Sequence, residues 1–304
     1  MDPGKGFRAN SCNRPLRYER WALRKPRCSI AASKLSLTPL VGNWLTRSRY
    51  LLAMPAVPPK FRIGSIDFTA VTFAEAAQAI ATLVKNPQTS GTSVHFANAY
   101  NIALAEQDPQ YQRLMNNGDF VFTDGTPVVW AGKKLYPTEI WERVYGPDAT
   151  EWILGNPDLK NVKHYFLGST EETMNKLLAK ITQRFPTAQV VGWDCPPFRE
   201  PTESELLDRD LRIRESGATV VWVGLGTPKQ DYEVQRLTKS LPIAAMAVGA
   251  AFDFLANTVP QAPKWMQKSG LEWTYRLARE PKRLAKRYLW GNPQFIRSVV
   301  KHRP

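Results

Sequence analysis

Residues 218–235 read Ala-Thr-Val-Val-Trp-Val-Gly-Leu-Gly-Thr-Pro-Lys-Gln-Asp-Tyr-Glu-Val-Gln, and no other stretch constrains the fold as tightly. Residues 219–223 form a short, β-branched, uncharged run, as expected of a strand covered on both faces in a parallel sheet. Gly224 and Gly226 end it. Two glycines one residue apart let the backbone turn tightly and approach a ligand closely, and Pro228 suits the first turn of a following helix. Lys229 and Gln230 then fall at that helix's N-terminus, where free amides and the positive dipole end favour a phosphate or diphosphate. A turn of this kind is also an ordinary tight connection, so its meaning depends on what the rest of the chain brings beside it.

From Phe61 onward, strand and helix signals alternate almost without interruption. A strand pair is expected over 61–68, a helix over 72–84, and strands over 93–97, 120–122, 164–167, 189–192 and 243–248. Helical stretches are expected after Asn98, near 109–117, from Val128, and over 150–154, 171–185 and 203–215. This is the pattern of an α/β protein with a doubly wound, mainly parallel, Rossmann-like sheet and a ligand crevice at the carboxyl ends of its strands.

Charge divides the chain differently. Of the formal +14, residues 1–53 carry net +9 and residues 264–304 another +9, which leaves the middle at −4. Charge confined to the two ends points to an anionic surface, membrane or nucleic acid, and says little about the central fold. We therefore divide the chain into a basic leader (1–58), disordered or non-native with Met54 as an alternative start; an α/β core (59–260); and a basic amphipathic appendage (261–304). No apolar stretch reaches the roughly 18–20 residues of a membrane span, and no convincing signal peptide is present. Cys12, Cys28 and Cys195 lie far apart without metal spacing, so a disulfide framework or zinc site is not indicated and a reducing cytoplasm fits.

In a parallel sheet the polar residues just past each strand share one crevice. Asn98 and Asn101, Asp124, Arg143 with Asp148 nearby, and Lys229 with Gln230 qualify, with Asp253 as a fifth set. Asp124-Gly125 reads either as a turn or as a general base able to take a proton from an acceptor hydroxyl. Arg143 reads either as a surface ion pair or as bidentate support for a leaving phosphate. His95 and His164 fall inside strands and read as packed. No strand ends in an Asp-x-Asp pair, so a metal-chelating sugar-nucleotide site of that type is not indicated. Neither metal nor cofactor is called for.

The collinear motifs resemble a known family. Asp124-Gly125 with 128–131 (Val-Val-Trp-Ala), Glu142-Arg143-Val144-x-Gly146-x-Asp148, Phe166-Leu167-Gly168, Val223-Gly224-Leu225-Gly226-x-Pro228-Lys229-Gln230, Ala251-Phe252-Asp253-Phe254, Ala262-Pro263-Lys264-Trp265, Gly270-Leu271-Glu272-Trp273 and Arg276-Leu277-x-x-Glu280-Pro281 are similar to the WecG/TagA/CpsF glycosyltransferases, glycosyltransferase family 26. The resemblance runs from about Phe61 to about Ile296. It implies an inverting enzyme that moves a sugar, often N-acetylmannosamine, from a UDP donor to a polyprenyl-diphosphate-linked sugar in bacterial cell-surface polymer synthesis. By the same resemblance Asp124 matches the catalytic base, Arg143 and Gln230 lie near the donor diphosphate, and Asn98 is the asparagine of the first loop. One position departs: the family's Thr two residues before that asparagine is Phe96 here, so its hydrogen bond is lost or His95 supplies it through a register shift. The departure bears on donor identity more than on reaction type, and UDP-glucose and UDP-glucuronate stay open as donors.

The C-terminal stretch interleaves Arg276, Arg279, Arg283 and Arg287 with Trp265, Trp273, Tyr288, Leu289 and Trp290. It suits an amphipathic segment in a lipid headgroup layer, with arginines over the crevice to meet an acceptor diphosphate. The alternatives are a solvated helix face or, less well supported, a single-stranded nucleic-acid contact. A non-catalytic nucleotide or nucleic-acid binder remains the competing class. The implied location is the cytoplasm, peripheral to the inner face of the plasma membrane.

Overall fold

The computed structural model of the chain describes residues 58–86 and 89–304. The basic leader and Met54 lie outside these residues. Strands β1 (Lys60–Ile63) and β2 (Ile66–Thr69) form an antiparallel pair. Helix α1 (Phe73–Lys85) opens at Thr72, whose hydroxyl accepts the Glu75 N–H while the Glu75 carboxylate accepts the Thr72 N–H, so two otherwise orphaned donors are satisfied.

The remaining elements follow in strict order: β3 (Thr92–Ala97), α2 (Ala99–Gln107), α3 (Pro109–Asn116), β4 (Phe120–Thr123), α4 (Thr126–Leu135), α5 (Gly146–Gly155), β5 (Lys163–Gly168), α6 (Glu171–Arg184), β6 (Gln189–Asp194), α7 (Glu203–Ser216), β7 (Val220–Gly224), α8 (Lys229–Ser240), β8 (Ala244–Ala247) and α9 (Ala251–Leu255). The chain then adds α10 (Lys264–Lys268), α11 (Glu272–Arg279) and α12 (Pro281–Lys301). Six strands pair in the order β4-β3-β8-β7-β5-β6, every pair parallel. The expected doubly wound sheet is therefore present.

The strand side chains alternate between two cores, as a period of two requires. Val94, Phe96, Val220, Trp222, Ala244 and Met246 pack with Ile80, Ile153, Met174 and Phe252 on one face. On the other, Val221, Val223, Ala245 and Ala247 pack with Ile213, Val234 and Leu237, and Ala97 and Val121 with Ile102 and Tyr111. β3, β8 and β7 are central, so both faces are covered and their interior residues are apolar apart from Ser93 and His95.

One helix start differs from the sequence reading by a full turn. Helix α5 begins at Gly146, not Thr150, because Pro147 in the first turn lacks the N–H that a helix start would leave unpaired. The C-terminal stretch divides into α11 and α12 at Pro281, and on α12 Leu284, Gly291, Phe295 and Ser298 are buried. Gly291 lets α12 approach the ring of Tyr100 on α2, where an added Cβ would stand 3.1 Å away. Ser298 and Lys301 both bond the Glu106 carboxylate, at 2.8 and 2.6 Å.

Candidate active site

The carboxyl ends of β3, β4, β7 and β8 open into one cavity of about 970 Å³. Its walls include Asn98, Asp124, Gly224, Gly226, Lys229, Gln230, Asp253, Arg276, Arg283 and Arg287, so these ten candidate residues meet in one place. Arg143 and Arg279 do not line it. A smaller cleft of about 390 Å³ beside Glu151 and Arg184 contains none of the candidates.

The glycine turn owes its shape to both glycines. A Cβ on Gly224 would lie 2.7 Å from the Phe252 ring, and Gly226 sits at φ +79° with open space around it. The first residue therefore clears a neighbour, and the second supplies a left-handed backbone. Beyond them, α8 starts at Lys229, whose exposed ammonium reaches Glu200 at 3.2 Å. Gln230 is 3% exposed, and its Oε1 has no hydrogen-bond partner among the described residues.

Asp124 sits one residue past β4. Its backbone N–H donates to Ala97 O at 2.9 Å, tying it to the neighbouring strand. Oδ1 accepts the Gly146 N–H at 3.0 Å, and among the described residues no donor reaches Oδ2. Burial raises the Asp124 pKa above its ordinary value of 3.8, against the opposing pull of Arg143 and the Gly146 hydrogen bond. A carboxylate held by one oxygen, desolvated and opening on a cavity is suited to accept a proton.

Arg143 stands behind this carboxylate. Its Nε donates to the Asp124 backbone carbonyl at 2.6 Å, its Nη2 bonds Glu272 at 2.6 Å, and its guanidinium lies 3.9 Å over the Tyr145 ring. Asp148 faces outward toward Lys264 at 4.0 Å. Asn98 caps α2 by accepting the Tyr100 N–H at 3.0 Å and also accepts from Arg287 at 3.3 Å. Arg287 lies 4.6 Å over the Tyr100 ring, and Arg276 lies 5.5 Å over Phe254. Both guanidinium Nε atoms are buried without a hydrogen-bond partner among the described residues. Burial, followed by repulsion from Arg276, lowers the Arg287 pKa. Asp253 is pushed up by burial, with Arg283 opposing. Arg279 is exposed beside the Tyr275 ring.

Phe96 lines the cavity, and its ring meets Phe122 at 5.8 Å. His95 points to the opposite face of β3, where Nδ1 lies 2.9 Å from Asp231. The phenyl ring of Phe96, and not the imidazole of His95, therefore faces the cavity. Asn101, which the sequence placed in the crevice, is buried beneath it and joins a relay instead. Its Nδ2 donates to Tyr111 Oη at 2.8 Å, and that hydroxyl donates to Asp231 Oδ2 at 2.8 Å. Its Oδ1 accepts the Asn98 N–H at 3.0 Å. The relay ties the start of α8 to the loop that carries Asn98.

Glu272, Tyr145 and Asp231 escaped the sequence reading as site residues. Glu272 stands within a quoted motif, but its partner Arg143 is 129 positions away and no local spacing links them. The Asp208-Arg209-Asp210 run lies on helix α7, where Asp210 pairs with Arg236 at 2.8 Å. Among the described residues no group of three or more His, Cys, Asp or Glu side chains could hold a metal ion, and no helix is long and apolar enough to cross a membrane.

Comparison with known proteins agrees with this geometry. The chain is 27% identical over 216 residues to an N-acetylglucosaminyldiphosphoundecaprenol N-acetyl-beta-D-mannosaminyltransferase of Bacillus spizizenii, covering 71% of this chain and 81% of the relative. Residues 61–304 match the "Glycosyl transferase WecG/TagA/CpsF family", a span that takes in every element from the second residue of β1 to the end of α12. With Asp124, the glycine turn and the tail arginines all inside that span, this chain belongs to the WecG/TagA/CpsF family and is a glycosyltransferase.

Proposed function

We propose that the enzyme transfers N-acetylmannosamine, with inversion, from a UDP donor to a polyprenyl-diphosphate-linked N-acetylglucosamine. The observation that carries this reading is the set of unpartnered polar atoms on the cavity-lining residues: Nε of Arg276, Nε of Arg287 and Oε1 of Gln230, with Asp124 beside them. Buried polar atoms left unpaired are costly, so such a set is a demand for a guest that is both anionic and rich in hydroxyls. The relative's printed activity supplies a donor sugar and acceptor that meet it.

In this reading Asp124 takes the proton from the acceptor hydroxyl as that oxygen attacks the anomeric carbon. The carbon–oxygen bond to UDP breaks, its electrons leave with the diphosphate, and the new glycosidic bond forms on the opposite face. The glycine turn and the start of α8 hold the departing diphosphate, Gln230 and Asp253 accept hydrogen bonds from hydroxyl or amide groups of the donor, and Asn98 closes the near wall. Arg276, Arg283 and Arg287 meet the acceptor diphosphate through charge-assisted hydrogen bonds. The departure at Phe96 favours testing UDP-glucose and UDP-glucuronate alongside UDP-N-acetylmannosamine.

The acceptor's lipid stays in a bilayer, so the enzyme docks there peripherally, from the cytoplasmic side. Exposed Trp265, Leu271, Trp273, Leu289 and Ile296 among the lysines and arginines of α10–α12 support this. Family membership leaves the non-catalytic nucleic-acid reading without support. The deciding experiment offers each UDP-sugar with a short-chain polyprenyl-diphosphate N-acetylglucosamine and weighs the product. A disaccharide-diphosphate lipid formed with UDP-N-acetylmannosamine is expected; a product formed only with another donor would overturn the donor assignment.

A further inference from the structure

The tail reaches back to the carboxylate proposed as the base, and the contact runs through one acidic side chain. Glu272 is the first residue of α11, only 13% exposed, and each of its oxygens is occupied. Oε2 holds Arg143 at 2.6 Å, and Oε1 accepts the Tyr145 hydroxyl at 3.1 Å with Arg276 at 3.9 Å. Arg143 and Tyr145 belong to the segment that fixes Asp124: Arg143 holds its carbonyl, and the residue after Tyr145 donates to its carboxylate. The segment is itself pinned to β4, by Val144 N–H on Thr123 O at 2.8 Å and by the Thr123 hydroxyl on Glu142 O at 2.6 Å. Glu272 thus completes a frame around Asp124 from a helix that begins 148 positions later in the chain.

We propose that Glu272 is a positioning residue of the transfer reaction: from the C-terminal tail it clamps Arg143 and Tyr145 and thereby sets how Asp124 is presented to the acceptor hydroxyl. The inference rests on Asp124 being the base. It also assigns Arg143 a task other than gripping a phosphate, since this side chain does not line the cavity and its charge is already paired.

The pairing has an electrostatic consequence. The charged and titratable groups that bear on Asp124 are Arg143 and Tyr145 on its own face, Glu272 and Arg276 on α11, and Arg287 on α12. Glu272 raises the Asp124 pKa, while Arg143 and Arg276 lower it. Neutralising Glu272 leaves Arg143 uncompensated and weakens the base; neutralising Arg143 does the reverse. Opposite signs are something a purely structural contact would not produce.

The test follows the Asp124 carboxylate itself by carbon-13 NMR in the full-length protein labelled at aspartate Cγ, the resonance being assigned by its absence in Asp124→Asn. Glu272→Gln is expected to move the titration midpoint down and Arg143→Met to move it up. Glu272→Asp keeps it near wild type. In parallel, Glu272→Gln is expected to lower kcat about tenfold or more on a detergent-solubilised acceptor, with KM for the UDP-sugar little changed. If one variant does not fold, the sign of the other decides. A midpoint unmoved in the folded variants, or moved the same way by both, overturns the proposal. Failure of the base reading is a separate result, seen as wild-type turnover by Asp124→Asn.

Discussion

Gly146 donates its backbone N–H to Asp124 Oδ1 at 3.0 Å, so the start of α5 holds one carboxylate oxygen and leaves the other to the cavity. Asp124→Asn keeps an acceptor for that amide but cannot take a proton. Turnover is expected to fall by about 10²–10⁴, while the thermal shift produced by UDP is retained. Because burial raises the pKa of this base, the acid limb of kcat/KM is expected above pH 3.8, with activity lost as pH falls through it. A limb at or below that value would mean that Asp124 is not the titrating group.

Arg287 is buried, stands near Arg276 and, among the described residues, is held by Asn98 as its one side-chain hydrogen-bond acceptor. Arg287→Met removes a charge that awaits an anion. We expect KM for the lipid-linked acceptor to rise roughly tenfold to a hundredfold, the worth of a charge-assisted hydrogen bond of about 1.5–3 kcal/mol. UDP affinity and the thermal stability of the unliganded protein should hold, and a change confined to UDP affinity would move Arg287 to the donor side.

The two glycines of the turn fail in different ways. Gly224→Ala drives a methyl into Phe252 and is expected to cost about 1–3 kcal/mol in urea unfolding. Gly226→Ala meets no neighbour, and only its left-handed backbone resists, at about 1–2 kcal/mol. If Gly226→Ala proves the milder lesion yet still weakens UDP binding, the turn itself contacts the donor.

Trp265 and Leu289 are 63% and 74% exposed, on α10 and α12. The double variant Trp265→Ser, Leu289→Ser leaves the buried face of α12 intact, which deletion of residues 264–304 would not. Partitioning onto anionic vesicles in a flotation assay should drop at least tenfold, since each large side chain contributes about 1.5–3 kcal/mol on burial. Unchanged flotation would place the docking surface elsewhere.

His164 lies inside β5, where its Nδ1 accepts the Trp222 indole N–H at 3.2 Å, and burial pushes its pKa down to about 4. A histidine depressed below its unfolded value of 6.5 favours the neutral form in the fold. Stability is therefore full above pH 6.5 and declines as pH falls from there toward 4, by on the order of 3 kcal/mol from this group. His164→Gln can keep an acceptor for the indole and should flatten urea-unfolding stability across that window; an unchanged slope would assign it to the carboxylates.

Much of the fold was legible because its central strands are short, uncharged and bounded by glycine, as at Val220–Gly224, and because parallel strands deliver their next polar residue to a common edge. Asp124, Gln230 and Asn98 were found by that rule alone. Other features depend on contacts that sequence spacing does not encode. Arg143 reads equally well as an ion pair or a phosphate ligand until Glu272 is seen beside it. Asn101 looked like a crevice residue because nothing local shows that Tyr111 and Asp231 claim it from below. The tail's arginine and aromatic pattern identified its exposed face, whereas the buried Phe295, which packs with Ile102 and Ala105 of α2, follows an ordinary helical period that says nothing about its partner.

That packing bears on how the enzyme can cycle. Lifting α12 away would expose Leu284 and Phe295, at about 3–6 kcal/mol together, so such an open form would be populated at roughly one part in 10²–10⁴. Two substrates of very different size must then load, and UDP must leave, through the standing mouth of the cavity. In the proposed reaction both substrates and the departing UDP therefore share one fixed doorway, with α12 as part of its frame.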